Sequence, residues 1–81
     1  MTLTWRHDAH GWIARCGEEL QGEARVVSFR GGWAWIVDML PCSAEPAIVS
    51  NDVYVHLPDA QADAERQVQE WPTPIDGARR V

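Results

Sequence analysis

The strongest constraint on the fold is a pair of apolar segments that meet at two glycines. The segment "EARVVSF" (23–29) is rich in β-branched residues, and "WAWIVDM" (33–39) follows Gly31 and Gly32. Two glycines between strand-like segments supply the positive φ angles of a two-residue hairpin turn. A turn at these glycines predicts the cross-strand pairs Val26–Val37, Val27–Ile36 and Ser28–Trp35. Both faces of this hairpin are largely apolar in mid-strand, so we expect it to be central and covered on at least part of each face.

A second hairpin is predicted at the start of the chain. The segments "LTWRH" and "WIARC" flank "DAHG", which contains turn-forming residues and ends in glycine. A loop of either two or four residues places His7 opposite Trp12. The alternation puts mainly apolar residues on one face and mainly polar residues on the other, as in a half-buried antiparallel hairpin.

One helix is predicted over residues 58–71. Pro58 and Asp59 suit a helix start, because proline fits the first turn and an acidic residue complements the helix dipole. Four apolar residues then recur at helical spacing and predict a narrow stripe that faces the sheet: Ala60, Ala64, Val68 and Trp71. Proline at position 72 ends the helix.

The remaining segments complete an α+β prediction. We expect a strand at about 53–57, preceded by either a short strand or a helical turn at 47–50. The fold is then a four- to five-stranded antiparallel meander sheet with one C-terminal helix packed on a face. Residues 1–71 form a single compact α+β domain, and residues 72–81 form a flexible C-terminal tail. One buried cluster is expected to contain Leu3, Trp5, Trp12, Trp35, Val37, Val68 and Trp71.

The distribution of charge narrows the classes of partner. The chain has 12 acidic residues against seven arginines, a net charge of −5. Residues 35–78 carry eight of the acids and one arginine, which gives that segment −7. Such a field disfavours direct contact with nucleic acid and favours a basic partner. The sequence has neither a secretory signal pattern nor an apolar run of about 20 residues, so we expect a cytoplasmic protein with no membrane contact.

Motifs for chemistry are missing from the sequence. The histidines and cysteines lack the usual spacing of zinc ligands, since His7 and His10 straddle a turn and Cys16 and Cys42 are far apart. In a reducing compartment the cysteines are most simply two free thiols. We therefore expect no catalytic residue, no metal site and no cofactor.

Two candidate partner-binding features remain. Asp59, Asp63 and Glu70 follow one edge of the predicted helix, with Asp52 nearby; these four residues are named the acidic strip. The structural alternative is a solvated helix edge with an Arg66–Glu70 ion pair. The other feature is Trp33, which lies beside the turn and across from Arg30. We expect Trp33 to be half exposed with the guanidinium on its ring, while the other tryptophans build the core.

The run "LTW", "GGWAWIV" and then Tyr54, Leu57, Ala60, Ala64 and Glu65 resembles small phage and prophage accessory proteins of the anti-CRISPR kind. This resemblance implies a non-enzymatic inhibitor, a monomer or homodimer, that binds a basic nucleic-acid-binding groove of a host effector complex of the Cascade or Cas type. The alternative is a phage structural or regulatory protein that binds a host protein through an apolar patch around Trp33.

Overall fold

The computed structural model describes residues 3–16, 22–39 and 46–81. Within these ranges, six strands form one antiparallel sheet in chain order, and one helix lies between the last two of them. The elements are β1 (Arg6–Asp8), β2 (Gly11–Cys16), β3 (Gly22–Phe29), β4 (Gly32–Met39), β5 (Ile48–Ser50), α1 (Leu57–Glu70) and β6 (Ala78–Arg80). The predicted α+β meander is confirmed, with six strands rather than four or five.

The first hairpin has the predicted register. His7 pairs with Trp12, and a two-residue turn at Ala9 and His10 joins the strands. The Asp8 carboxylate closes this turn, because its Oδ1 accepts a hydrogen bond of 2.8 Å from the backbone N–H of His10. Aspartate is favoured here because its short side chain reaches the backbone two residues ahead.

The central hairpin turns one residue earlier than predicted. Its turn residues are Arg30 and Gly31, with φ angles of 51° and 79°, both positive as a type I′ turn requires. Phe29 therefore pairs with Gly32, and Val26 pairs with Trp35 rather than with Val37. The predicted register was wrong by two residues. A shift of two preserves the alternation, so each side chain still lies on its predicted face.

A contact from a distant segment explains why Gly32 stays in the strand. A Cβ atom at Gly32 would lie 2.5 Å from the carbonyl oxygen of Tyr54 and would also overlap Cγ1 of Val53. Glycine is thus needed at this position for close approach of another backbone. Gly31 has open space around it and serves the turn.

The predicted strand at 53–57 is wrong. Only Tyr54 pairs with the sheet there, as a single bridge to Trp33, and α1 already begins at Leu57. The strand in this region is β5, which matches the short strand considered at 47–50. Pro58 sits in the first turn of α1 and Trp71 caps its other end, so the helix matches its predicted bounds within one residue.

Residues 72–81 continue the domain beyond the predicted boundary at residue 71. Ile75 is buried in the core, and β6 pairs with β5 along the edge of the sheet. Gln67 on α1 holds the connecting loop: its Nε2 donates to the carbonyl of Thr73 at 2.8 Å, and its Oε1 accepts from the N–H of Ile75 at 2.9 Å. The helix therefore precedes an edge strand instead of ending the fold.

The core lies between α1 and one face of the sheet. Its buried residues are Ala24, Val26, Trp35, Val37, Met39, Ile48, Ala60, Ala64 and Ile75. The expected cluster is confirmed in membership: Trp35 and Val37 are fully buried, and the other five predicted residues are partly buried against them. The N-terminal segment is tied to α1 by Glu65, whose Oε2 accepts from the N–H of Leu3 at 2.9 Å and from Nε1 of Trp5 at 3.0 Å.

Candidate interaction surface

Tyr54 fastens the connection between β5 and α1 to both the sheet and the helix. Its backbone exchanges two hydrogen bonds with Trp33, at 2.8 and 2.7 Å. Its hydroxyl donates to Oδ2 of Asp63 at 2.6 Å and accepts from Nε1 of Trp35 at 3.3 Å. The fully buried indole of Trp35 is therefore linked through one hydroxyl to a carboxylate at the surface.

The surroundings of the Tyr54 hydroxyl favour its protonated form. Burial raises the pKa of Tyr54 first, and the hydrogen bond to Asp63 raises it further. The negative charges of Asp63 and Asp52 act in the same direction, while the hydrogen bond from Trp35 opposes them. Asp52 and Asp63 thus both act on the Tyr54 hydroxyl, although eleven positions separate them in sequence.

Asp63 is engaged by two neighbours. Besides the Tyr54 hydroxyl, it pairs through Oδ1 with Nη1 of Arg66 at 3.1 Å, and only 27% of its side chain is exposed. The ion pair that we considered between Arg66 and Glu70 is replaced by this one. Asp63 therefore positions the connection before α1, and Arg66 already has a carboxylate partner.

The other carboxylates of the acidic strip are exposed. Asp52 lies in the connection after β5, Asp59 in the first turn of α1 and Glu70 in its last turn. Within the described ranges, none of the three forms an ion pair with an arginine. Glu70 lies about 10 Å along the helix from Asp63, beside a surface cavity of about 340 Å³ that Arg66, Thr73 and Asp76 also line. The strip is thus extended along the helix, with Asp52 and Asp63 close to Tyr54.

Trp33 is half-buried and packs against the core, under the bridge to Tyr54. The expected stacking of Arg30 on Trp33 is not found. The Arg30 guanidinium lies 5.2 Å from the ring centre of Phe29 instead. Because Arg30 lies in the turn, it does not pair across from Trp33 as the predicted register required.

Two exposed valines, which sequence reasoning missed, flank Tyr54 in the chain. Val53 is 42% exposed and Val55 is 81% exposed. In the sequence, valine alternates with Tyr54 as in a half-buried strand. This pattern led to the strand prediction and gave no sign that both valines are exposed. They adjoin Asp52, so the connection before α1 presents apolar and acidic side chains together; Val53 and Val55 are named the valine pair.

Two polar helix residues were also missed, Glu65 and Gln67. Gln67 has a recognisable signal, because it follows Ala60 by seven residues and therefore lies on the apolar stripe. A glutamine in such a stripe needs buried hydrogen-bond partners, and the loop after α1 supplies them. Glu65 has no comparable signal, since its partners lie sixty or more positions away.

The histidines are dispersed over the surface. His7 is exposed, with its ring centre 4.9 Å from that of Trp12. His10 and His56 are also exposed, and Cys42 lies outside the described residues. Throughout the described part of the chain, no three His, Cys, Asp or Glu side chains stand together as metal ligands would.

The only helix found in the described ranges is too short and too polar to cross a bilayer. Comparison of the chain with protein-family models, with curated proteins and with solved structures finds no match.

Proposed function

We propose that this protein is a non-enzymatic interaction protein whose acidic strip binds a basic groove of a larger host complex. The observation that carries the proposal is the ion-pair pattern at α1. Arg66, the one arginine on that helix, is paired with Asp63, while Asp52, Asp59 and Glu70 pair with no arginine among the described residues. Three carboxylates of the strip are therefore exposed outside any ion pair of the described residues, with Arg30 and Arg79 in the same cavity as Asp52.

The negative charge of the acidic strip indicates the class of target. A groove that binds nucleic acid offers arginine and lysine to phosphates, and charge-assisted hydrogen bonds from these residues to carboxylates are short and strong. We propose an effector complex of the Cascade or Cas type as the target and inhibition of its DNA binding as the outcome, as in anti-CRISPR inhibitors. Small size, a net charge of −5 and the −7 segment support this choice.

A second candidate rests on the valine pair. Exposed aliphatic side chains are typical of an apolar contact with a protein partner. In that case the chain is a phage structural or regulatory protein, and the contact centres on Val53 and Val55, on either side of the residue that bridges to Trp33. An apolar contact is much less sensitive to ionic strength than contacts between exposed charges.

The test is a DNA-binding assay with purified Cascade and Cas9 complexes, with and without this protein at rising salt. We expect inhibition that weakens steeply with salt and that is lost when Asp59→Asn and Glu70→Gln are combined. Asp52→Asn should act in the same direction. The control combines Glu23→Gln with Asp38→Asn, which changes the net charge equally on the sheet and should leave inhibition intact.

The outcomes separate the two candidates. If binding persists in the combined helix variant but is lost with Val55→Ser, the binding surface is the valine pair and not the acidic strip. Failure of the unmodified protein to affect any of the complexes at low salt would overturn the proposed target class.

A further inference from the structure

A single row of side chains crosses all six strands on the face opposite α1. The strand register pairs its members directly, one strand to the next: Arg6, Ile13, Arg25, Ile36, Val49 and Arg79. The residues on either side of Arg25 in β3, Ala24 and Val26, are buried beneath α1, so the row itself faces away from the helix. We name this set the arginine row.

The row alternates cationic and aliphatic positions. Neighbouring strands lie about 4.8 Å apart, so Arg6 and Arg25 are about 10 Å apart at their Cα atoms and Arg79 lies about 14 Å beyond Arg25. The aliphatic members lie between them: Ile13 is 7% exposed, and Ile36 and Val49 are half-buried. Val27 and Ala34 pair in the adjoining row and widen the apolar centre.

Shallow cavities lie at both ends of the row. One, of about 220 Å³, is lined by Thr4, Arg6, Ile13 and Arg15. The other, of about 210 Å³, has Arg30 and Arg79 on its walls with Phe29, Val53 and the acidic side chain of Asp52. Each cavity thus combines two arginines with apolar side chains. The lining of the first has no acidic residue, whereas in the second two arginines share the cavity with one carboxylate.

Arg25 at the centre of the row forms ion pairs, whereas Arg6 and Arg79 at its ends form none among the described residues. Arg25 lies 3.4 Å from both Asp8 and Glu23. The hydrogen bond from His10 N–H holds the pKa of Asp8 below its usual range, and Arg25 adds to the effect, so Asp8 stays ionised beside Arg25. Arg6 pairs with no carboxylate in the ranges described, and Arg79 donates to the neutral amide oxygen of Asn51 at 3.0 Å.

We propose that the arginine row is a second interaction surface, which binds an acidic protein segment carrying aliphatic side chains between its carboxylates. Arg6 and Arg79 would each donate hydrogen bonds to a carboxylate, while Ile36 and Val49 would contact the aliphatic part. None of the described elements packs on this face, although both faces of the central hairpin are apolar in mid-strand. This surface adjoins the acidic strip at Asp52, which lines the same cavity as Arg79. Its charge is opposite to that of the strip, and the proposal does not depend on the function proposed above.

Single-stranded nucleic acid fits this face less well than an acidic protein segment. Such binding needs aromatic rings on which bases stack. Phe29 is the only aromatic side chain of the described strands that points to this face, and the Arg30 guanidinium already lies against its ring. Aliphatic residues between the arginines suit leucine or valine side chains of a protein.

The test is a selection from a random peptide library displayed on phage, with this protein as bait at low salt. Peptides are counter-selected on a variant that combines Arg6→Gln with Arg79→Gln. We expect the enriched peptides to carry several Asp or Glu residues interspersed with Leu, Ile or Val. Fluorescence anisotropy should show that they bind the double variant about tenfold more weakly than the unmodified protein. This is the loss expected when two exposed ion pairs are removed.

Controls address fold, charge and nucleic acid. Arg66→Gln removes one positive charge from the helix side and should leave peptide affinity unchanged, and the thermal midpoints of the variants should agree. Enrichment of basic peptides, or of peptides that bind the double variant equally well, would overturn the proposal. So would a single-stranded oligothymidylate that binds the unmodified protein through Arg6 and Arg79 while no acidic peptide does.

Discussion

The Tyr54 hydroxyl and the Asp63 carboxylate are joined by a hydrogen bond of 2.6 Å. This bond connects the segment that crosses the end of the central hairpin to the helix that covers the sheet. Because Tyr54 also accepts from the buried indole of Trp35, one hydroxyl satisfies a core donor and orients a surface carboxylate. Asp63 is therefore a structural member of the acidic strip, whereas Asp59 and Glu70 are available to a partner.

Tyr54→Phe should lower the free energy of unfolding by about 1–2 kcal/mol, because the buried indole N–H of Trp35 loses its acceptor. Asp63→Asn should also destabilise the fold, and the effects of the two changes should not add, since both disrupt one bond. Denaturant unfolding of the two single variants and the double variant measures this coupling. Asp59→Asn is the control and should change stability by less than about 0.5 kcal/mol; strict additivity would contradict the linkage.

The stability of the fold should decrease at alkaline pH through Tyr54. Its pKa is raised above the usual 10 in the folded state, so the folded protein retains a proton that the unfolded chain releases. The resulting stabilisation is fully present below pH 10 and is lost as the pH rises through the raised pKa. The chain has one tyrosine and no lysine, so tyrosinate absorbance of folded and denatured protein reports the difference directly. Coincident titration curves would refute this prediction.

Gly32→Ala should destabilise the protein by about 1–3 kcal/mol, because the added methyl group would overlap Val53 and the Tyr54 carbonyl. The backbone bonds between Trp33 and Tyr54 should weaken, and their amide protons should exchange faster. Gly31→Asn is the matched control, since it has open space and asparagine tolerates positive φ. Equal effects of the two substitutions would show that crowding at Gly32 is unimportant.

Gln67→Ala should cost about 2–4 kcal/mol, because it removes packing and leaves two backbone groups of the 73–75 loop without partners. Gln67 is fully buried, and both of its hydrogen bonds go to this loop. We expect faster hydrogen exchange at Ile75 and in β6, with the central hairpin less affected. Gln69→Ala, on the exposed side of the same helix, is the control; loss of protection in both variants would contradict a specific clamp.

Local sequence signals were sufficient for the first hairpin, the helix and the assignment of faces. Local sequence signals did not determine which two residues form the turn of the central hairpin. Three successive residues, Arg30, Gly31 and Gly32, could supply a two-residue turn, and the approach of Tyr54 decides among the possibilities. β6 has no alternating pattern, because its pairing with β5 depends on backbone groups and on the loop that Gln67 holds.

The candidate site was predictable to a similar extent. Helical spacing placed Asp59, Asp63 and Glu70 along one edge of α1. It could not reveal that Asp63 is engaged by Tyr54, because that contact depends on the path of the connection before the helix. The exposure of Val55 was hidden for the same reason, since its pattern is typical of a strand that the chain does not form.

The hydrogen bond between Trp5 and Glu65 joins residues sixty positions apart, whereas each strand pairs with the strand next to it in the chain. Closing a loop of that length costs more entropy than closing either tight hairpin. We therefore expect the two hairpins to form early during folding and the N-terminal segment to dock on α1 late. Interactions that form after the rate-limiting step mainly affect the unfolding rate. Loss of the Glu65 carboxylate should therefore speed unfolding and shorten the lifetime of the folded protein. The folding rate should remain almost unchanged.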